Sequence, residues 1–245
     1  MGISVCMATF NGEKFIKKQI LSILDELEND DELVIVDDCS NDNTTELINS
    51  FNDDRIKLYI NKTNQREIYS FNKAISYAKN KFIFLSDQDD IWMKGRVLKM
   101  KQKLNNYYLV TSNFTWINEF DEDIKIFHDG VNEKQSKNNI KNIIDIYFGK
   151  TNYYGCAMAF EKNLLNIAFP IPKNVESHDL WLALVANILS KNIHINDNTL
   201  LKRNHSSNVT STISNRSILK KINSRLIFSL NILTIFKRIF LYKIK

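Results

Sequence analysis

The chain has 245 residues, of which 44% are hydrophobic and 25% are charged, as in an ordinary globular protein. This composition excludes a mostly disordered chain, a collagen-like chain and a polytopic membrane protein. The charge is unevenly distributed, because all 28 acidic residues lie within 1–197, whereas the charged residues of 198–245 are all basic. A basic end of this kind predicts contact with an anionic partner, either a nucleic acid or a membrane surface.

The cysteines and the N-terminal segment indicate where the protein works. Cys6, Cys39 and Cys156 lie far apart and form no Cys-x-x-Cys pair, which argues against a disulfide framework and against a cysteine zinc site. The first residues pass directly into a strand-like run, without a charged leader before a long apolar core. We therefore expect no signal peptide and a cytoplasmic location.

The first part of the chain alternates strand-like and helix-like segments. Continuous or alternating apolar runs predict strands over 2–9, 32–36, 56–60 and 81–85. Apolar residues spaced three or four apart predict helices over 15–28, 44–51 and 68–78. Strands that alternate with helices predict an α/β fold with a mainly parallel sheet and helices on both faces.

The second part of the chain is less regular. Residues 114–152 are rich in charged residues and Asn, so we expect an insertion or a long loop region there. The segment 153–160 is apolar again, and 179–190 is predicted as a helix. In the tail 218–245, apolar clusters alternate with Lys and Arg, and no apolar stretch approaches the roughly 20 residues that span a bilayer.

Polar clusters follow three of the predicted strands, at 9–12, 37–42 and 87–90. Because ligands bind at the carboxyl ends of strands in open parallel sheets, we expect these clusters to converge on one edge. The cluster 87–90 holds three carboxylates, which fits a hard divalent cation bridging to phosphate; the alternative is an acidic turn that caps the next helix. Asp38 is suited to bind a pyrimidine ring or a ribose hydroxyl, while Asp42 is suited to cap a helix.

Three of these segments resemble ordered motifs of family 2 glycosyltransferases, which have the GT-A fold. They are 7–12 (Met-Ala-Thr-Phe-Asn-Gly), 36–42 (Val-Asp-Asp-Cys-Ser-Asn-Asp) and 86–92 (Ser-Asp-Gln-Asp-Asp-Ile-Trp). The last is similar to the bacterial rhamnosyltransferase-like branch of surface polysaccharide synthesis. Three later segments also resemble motifs of that branch, and they are 154–160 (Tyr-Gly-Cys-Ala-Met-Ala-Phe), 177–181 (Ser-His-Asp-Leu-Trp) and 203–208 (Arg-Asn-His-Ser-Ser-Asn).

The resemblance spans about 1–212 and implies an inverting transfer from a UDP- or dTDP-sugar to a glycan or lipid-linked glycan acceptor, with Mn²⁺ or Mg²⁺ as the cofactor. It implies a nucleotide-sugar half over about 1–113 and an acceptor half over about 114–212, followed by a basic amphipathic helical tail over 213–245. Two positions depart from the family pattern: Lys202 stands where Tyr is frequent, and Ser211 where Gly is frequent.

The resemblance also implies roles for individual residues. Asp179 matches the catalytic base, and Asp87 and Asp89 match the metal-binding Asp-x-Asp, with Asp89 as the direct ligand. The nucleotide pocket would be lined by Thr9, Asn11, Asp38, Asp87 and Arg66.

The roles of other residues stay open at this point. His178 is suited to orient Asp179 or to line the acceptor site, and Arg203 and His205 are suited to approach phosphate or metal. An ordinary loop role fits all three equally. Trp92 and Trp181 are suited either to stack on a sugar or to fill the core, and Arg66 either to contact the nucleotide or to lie at the surface.

The basic tail has two interpretations. Lys and Arg among Leu, Ile and Phe suit an amphipathic helix at an anionic membrane surface, which would bring the enzyme to a lipid-linked acceptor. The alternative is a pair of helices packed on the domain or on a second subunit in a homodimer.

Other classes of protein fit the sequence less well. A sugar-nucleotide pyrophosphorylase would carry a Gly-rich, Arg-containing loop after the first strand, and 8–14 has one Gly and no Arg. The Gly-x-Gly-x-x-Gly motif of NAD enzymes is missing there as well. A nucleic-acid-binding module would use the basic tail, but the rest of the chain is net acidic, so we expect no nucleic acid.

Overall fold

A computed structural model describes residues 2–126, 130–150, 153–205 and 217–244. The described residues form an eight-stranded mixed sheet with the strand order 3-2-1-4-7-6-8-5. The strands are β1 Ile3–Thr9, β2 Glu32–Asp37, β3 Ile56–Ile60, β4 Phe82–Ser86, β5 Ile91–Trp92, β6 Leu109–Ile117, β7 Met158–Glu161 and β8 Asn192–Arg203. The α-helices of the described part are α1 Ile16–Leu24, α2 Thr44–Asn49, α3 Glu67–Tyr77, α4 Arg96–Leu104, α5 Asn139–Phe148, α6 Leu165–Ala168, α7 His178–Ile188 and α8 Ile218–Ile244.

The N-terminal half of the sheet is parallel, as the sequence predicts. β1 lies between β2 and β4 and pairs with both in parallel, and β2 pairs in parallel with β3. The strands β1, β2 and β4 are almost entirely buried, because helices cover both faces of a parallel sheet. β7 pairs antiparallel with β4 and with β6, and β8 then runs parallel to β6. The predicted α/β fold with a mainly parallel sheet is confirmed.

Each face of the sheet has its own hydrophobic core. On one face Phe71 and Ile75 of α3 pack with the nearly all-apolar helix α7 and with Phe228 and Ile235 of α8. On the other face α1 and α4 supply the buried side chains. The sheet is therefore held rigidly between two helical layers, and the ends of its strands form a fixed rim.

Three details differ from the predictions. The region 114–152 is not one irregular loop, because β6 continues to Ile117 and α5 occupies Asn139–Phe148. The long strand β8 has no clear apolar pattern, since it buries polar residues such as Asn192 and His194 along with its aliphatic ones. The described part of the tail is one helix, α8, rather than a pair of helices. The boundary at 212/213 lies outside the described residues, as do Asn208 and Ser211.

We expect the burial of α1 to contribute strongly to stability. Ile20 is fully buried under the sheet, whereas the neighbouring Leu21 on the same helix is largely exposed. Ile20→Ala should lower the free energy of unfolding by about 2–5 kcal/mol, because it removes buried methyl groups and leaves a cavity. The matched control Leu21→Ala should change it by no more than about 0.5 kcal/mol. Urea denaturation followed by circular dichroism measures both, and equal losses would contradict the packing described for α1.

Candidate functional site

The three predicted polar clusters meet at the carboxyl ends of β1, β2 and β4. The backbone N–H of Phe10 donates to Gln88 Oε1 at 2.8 Å, and Gln88 Nε2 donates back to the Phe10 carbonyl at 3.1 Å. Asn11 Oδ1 accepts a hydrogen bond from the backbone N–H of Asn41 at 2.9 Å. The loops after these three strands therefore form one continuous rim, as the sequence predicts.

Several residues on this rim have an unusual backbone conformation. Asn11, Cys39 and Arg66 have φ angles of 48°, 68° and 69°, in the left-handed region that favours glycine. Such strain persists where surrounding contacts enforce it, and it concentrates at ligand sites. The three positions follow β1, β2 and β3 in turn, which marks the rim as the candidate site.

Asp38 is held in place by the loop before α3. Its Oδ1 accepts hydrogen bonds from Asn61 Nδ2 and from the backbone N–H of Gln65, both at 2.8 Å, and its Oδ2 accepts from the backbone N–H of Arg66 at 2.7 Å. An ionised carboxylate has about four acceptor positions, so one remains on Oδ2. Thr9, the predicted pocket residue on β1, donates to Asp37 Oδ2 at 2.9 Å.

The acidic segment after β4 is anchored from several directions. Gln19 of α1 donates to Ser86 Oγ at 2.7 Å and to the Asp87 carbonyl at 2.9 Å. Asp89 Oδ2 lies 2.8 Å from His205 Nε2. The sequence predicted that Asp89 and His205 both approach the metal or phosphate, and the structure brings their side chains together across more than a hundred residues of chain.

Arg203 holds the same segment from the end of β8. Its Nε donates to the Asp89 carbonyl at 2.7 Å, and its backbone N–H donates to Asp90 Oδ1 at 2.9 Å. Its fully buried guanidinium also forms a salt bridge with Asp121 at 2.6 Å and lies over the ring of Phe15. Arg203 therefore joins the acidic segment to the turn after β6. No sequence pattern indicates Asp121, because its role depends on a turn that contacts α1 through Lys18.

Lys202, the departure from the family pattern, points into the acidic segment. Its Nζ lies 3.1 Å from Asp87 Oδ2, 4.0 Å from Asp90 Oδ2 and 3.3 Å from Cys156 Sγ. Burial opposes the charge of Asp87, but the Lys202 ammonium holds the pKa of Asp87 below its ordinary value. Burial would also lower the pKa of Lys202, but Asp90, Cys156 and Asp87 raise it well above its ordinary value.

Asp90 is the most deeply buried carboxylate of the segment. Burial raises its pKa to about 7; Lys202 opposes this rise, while Asp89 and Asp87 add to it. Its Oδ2 has no hydrogen-bond partner among the described residues. The sequence assigns Asp90 no separate role, because a run of acidic residues does not show which of its carboxylates is buried.

Asp179, the predicted base, lies in the first turn of α7. Its Oδ2 accepts from the backbone N–H of Gly155 at 3.1 Å, and its Oδ1 accepts from the Leu180 backbone N–H at 2.7 Å and from Ser177 Oγ. Gly155 directly precedes Cys156, whose sulfur lies beside Lys202 and the acidic segment. Two adjacent residues thus connect Asp179 to the carboxylates after β4.

Glu67 is a further carboxylate near this group that sequence reasoning did not single out. Partial burial raises its pKa, His178 lowers it, and the negative charges of Asp179 and Asp87 raise it. His178 is 5% exposed and stacks on Phe71, and neither of its ring nitrogens has a partner among the described residues. Gly155 is required here, because a Cβ would lie 2.8 Å from His178 Nε2.

Trp92 and Trp181, for which sugar stacking was one of two alternatives, lie in the core and not on an open surface. Trp92 on β5 packs against Phe84 and lies under the guanidinium of Arg96. Trp181 is fully buried, and its Nε1 donates to the Ala168 carbonyl. Both rings are buried, which favours the core alternative over sugar stacking. The side chain of Arg66 is exposed at the rim.

The residues present fit a divalent cation. Asp87, Asp89 and Asp90 supply carboxylate oxygens, the ligands that Mg²⁺ and Mn²⁺ prefer, and Lys202 offsets only part of their charge. The ligand atoms of Asp87, Asp90 and Cys156 lie within 4.8 Å of one another. Asp89 and His205 form a second pair of potential ligands beside this group.

A family model and a protein relative match the chain. The model of glycosyl transferase family 2 matches residues 4–167. An uncharacterized glycosyltransferase of Methanocaldococcus jannaschii is 31% identical over 193 residues, which are 76% of this chain and 65% of that protein. The chain therefore spans slightly less than two thirds of the length of this relative.

Solved structures share the fold at low sequence identity. The TarS fragment 1–349 of S. aureus, in complex with UDP-GlcNAc, superposes with a TM-score of 0.70 at 20% identity, covering 95% of this chain and 67% of that one. A mannosyltransferase of Pyrobaculum calidifontis, in complex with GDP-Man and Mn²⁺, superposes with a TM-score of 0.62 at 17% identity, covering 82% and 56%. These similarities confirm the GT-A fold that the motifs implied.

We expect Arg203 to stabilise the rim far more than the exposed ion pairs nearby do. Arg203→Met should lower the free energy of unfolding by about 2–5 kcal/mol, because Asp121 and two carbonyls lose a charged donor. Lys14→Met, which removes the exposed pair with Glu119 and an exposed contact with the ring of Phe15, should cost about 0–1 kcal/mol. Chemical denaturation measures both variants, and a loss for Arg203→Met as small as the control's would show that Arg203 is not the anchor.

Proposed function

The chain belongs to glycosyl transferase family 2, and on this basis we propose that it transfers a sugar from a UDP- or dTDP-sugar to a glycan or lipid-linked glycan acceptor, with inversion at the anomeric carbon. The observation that carries the proposal is the position of Asp179, joined through Gly155 and Cys156 to the acidic segment after β4. A base at this position would lie near a cation bound by the acidic segment, and that cation would neutralise the charge of the leaving diphosphate. The nucleotide-sugar complexes of the neighbouring structures support this type of donor.

The donor is proposed to bind along the rim of β1, β2 and β4. The last acceptor position of Asp38 suits the N3–H of a uracil or thymine ring, since its other positions are filled by the loop before α3. Thr9 and Asn11 line the same pocket from β1, and the exposed Arg66 is available to the phosphates. On this proposal the nucleotide binds to 1–113 and the acceptor to 114–212.

Asp89 is the proposed direct ligand of a divalent cation, with Asp87 and His205 beside it. When bound, Mn²⁺ or Mg²⁺ would stabilise the negative charge of the departing diphosphate. Arg203 fixes the backbone of Asp89, so the carboxylate has a constant position relative to the rim.

Asp179 is the proposed general base. Three hydrogen bonds hold its carboxylate, which leaves one acceptor position on Oδ2 for the acceptor hydroxyl. Asp179 takes the proton of this hydroxyl as its oxygen attacks the anomeric carbon. His178 lies next to it with both ring nitrogens unpaired among the described residues, and we assign it to the acceptor side.

Replacing the base tests this function directly. With a donor chosen from a panel of UDP- and dTDP-sugars, Asp179→Asn should lower the transfer rate by about 10²–10⁴-fold, because the amide cannot accept the proton. Donor affinity, measured by calorimetry, should stay nearly unchanged. The matched control is Asp197→Asn, whose exposed carboxylate pairs with Lys99, and it should keep full activity. An active Asp179→Asn protein would refute the assignment, and no transfer from any donor of the panel would refute the function.

We further propose that α8 docks the protein on the inner face of a membrane, in the context of surface polysaccharide synthesis. One side of α8 packs on the domain through Phe228 and Ile235, while the opposite side exposes an apolar stripe about 40 Å long. The stripe consists of Leu219, Ile222, Leu226, Leu230, Leu233, Phe236, Phe240 and Ile244.

The charges around this stripe select an anionic lipid surface as its partner. Lys237 lies along it, Lys220, Lys221 and Lys243 are also exposed on α8, and α8 carries no acidic residue. Each basic residue near an anionic surface contributes about 1 kcal/mol. None of the described helices, α8 included, is apolar enough over a sufficient length to cross a membrane, so the contact would be interfacial.

We expect the full chain to bind phosphatidylglycerol vesicles and to lose this binding when the stripe is made polar. Each apolar side chain that is removed from the contact weakens the free energy of vesicle binding by at least about 1 kcal/mol. The variant Leu226→Gln/Leu233→Gln/Phe240→Gln should therefore bind at least about 100-fold more weakly. Leu98→Gln, an exposed change on α4, is the control. Vesicle sedimentation measures the binding, and wild-type protein that stays in the supernatant, or that forms stripe-dependent dimers instead, would refute membrane docking.

A further inference from the structure

Lys202 has no assigned role, although it is the most deeply buried lysine of the candidate site. It is 7% exposed, and its ammonium lies under the acidic segment, close to the rings of Tyr154 and Trp116. On β8 it stands opposite Trp116 of β6, so the strand pairing fixes where its side chain points. Its neighbour Arg203 points to the other end of the same segment, towards Asp89.

The ammonium occupies a position that a metal ion would otherwise suit. The ligand atoms of Asp87, Asp90 and Cys156 lie within 4.8 Å of one another, which is the spacing of a cation site. Lys202 Nζ lies 3.1, 4.0 and 3.3 Å from these same three side chains. A second cation there would meet strong repulsion from the ammonium at such short range.

We infer that Lys202 is a built-in cation that divides the acidic segment into two parts: Asp87 and Asp90, with which it pairs, and Asp89 with His205, which bind a single divalent ion. This inference rests on the proposed function for the presence of a divalent ion. It makes Lys202 a positioning residue, which acts on the substrate through Asp87.

The exposure of the side chains supports this division. The Asp87 side chain is 36% exposed, whereas that of Lys202 is 9% exposed. One end of the Asp87 carboxylate is therefore fixed to a buried ammonium while the group still faces the open rim. A carboxylate held in this way is oriented to accept a hydrogen bond from a hydroxyl of the donor. Its pairing with Lys202 also keeps it from becoming a second ligand of the ion at Asp89.

Metal binding without donor or acceptor tests the inference. Wild-type protein should bind one Mn²⁺ in a calorimetric or electron paramagnetic resonance titration. Lys202→Met leaves the carboxylates uncompensated, so it should bind a second Mn²⁺, or bind the first at least about 10-fold more tightly. Lys202→Arg keeps the charge and should behave as wild type. The thermal unfolding temperature of Lys202→Met should also rise more on addition of Mn²⁺ than that of the wild type does. Equal Mn²⁺ binding by wild type and Lys202→Met, including none by either, would overturn the inference.

A second pair of variants keeps the test decisive if Lys202→Met does not fold. Asp89→Asn should weaken Mn²⁺ binding by about 10-fold or more, since it removes a direct ligand. Asp87→Asn should weaken it clearly less than Asp89→Asn does, since Asp87 contributes its charge but no ligand oxygen. Equal losses for the two variants would make Asp87 a metal ligand and overturn the division. Because these titrations use the metal alone, they can succeed even if the protein transfers no sugar, so the two proposals fail separately.

Discussion

The site depends on the neutralisation of three carboxylates that follow one buried strand within four residues. Burial at the end of β4 disfavours a charge on Asp90 and raises its pKa to about 7. Lys202 and Arg203, consecutive residues at the end of β8, reach the segment from the same direction. The pairing of β8 with β6 is thus a requirement of the acidic site as well as of the sheet.

A rigid frame supports this electrostatic arrangement. The helical layers on both faces of the sheet fix the strand ends, and the loops after β1, β2 and β4 bond to one another instead of remaining independent. The left-handed backbone at Asn11, Cys39 and Arg66 indicates that the rim keeps its shape although these residues adopt an unfavourable backbone conformation. Asp38 and Asp179 each retain one acceptor position after their structural hydrogen bonds. In the proposed function, these remaining positions would bind the substrates, while the other positions of the same carboxylates hold the structure.

The helix α8 has one side that packs on the domain and an opposite side that is exposed. Its inner side completes the core against α6 and α7, while its outer side is apolar and bordered by basic residues. Arg238 belongs to the inner arrangement, because its guanidinium donates to the carbonyls of Ile167 and Pro170 and lies over Trp181. The inner side of α8 therefore packs on α7, the helix that carries Asp179.

The sequence by itself determined the α/β class, the parallel order of the first strands and the convergence of three polar clusters, since apolar runs and strand-end loops are local patterns. It also identified Asp38, Asp89 and Asp179 as candidates through motifs. Only the tertiary structure decided that Lys202 and Arg203 reach the acidic segment, that Asp121 pairs with Arg203, and that Trp92 and Trp181 lie in the core. These facts depend on β8, whose buried polar residues hide its strand pattern, and on contacts between segments about a hundred residues apart. Ion pairs between segments so far apart produce no periodic pattern in the sequence, because the packing of the sheet determines which charged residues come into contact.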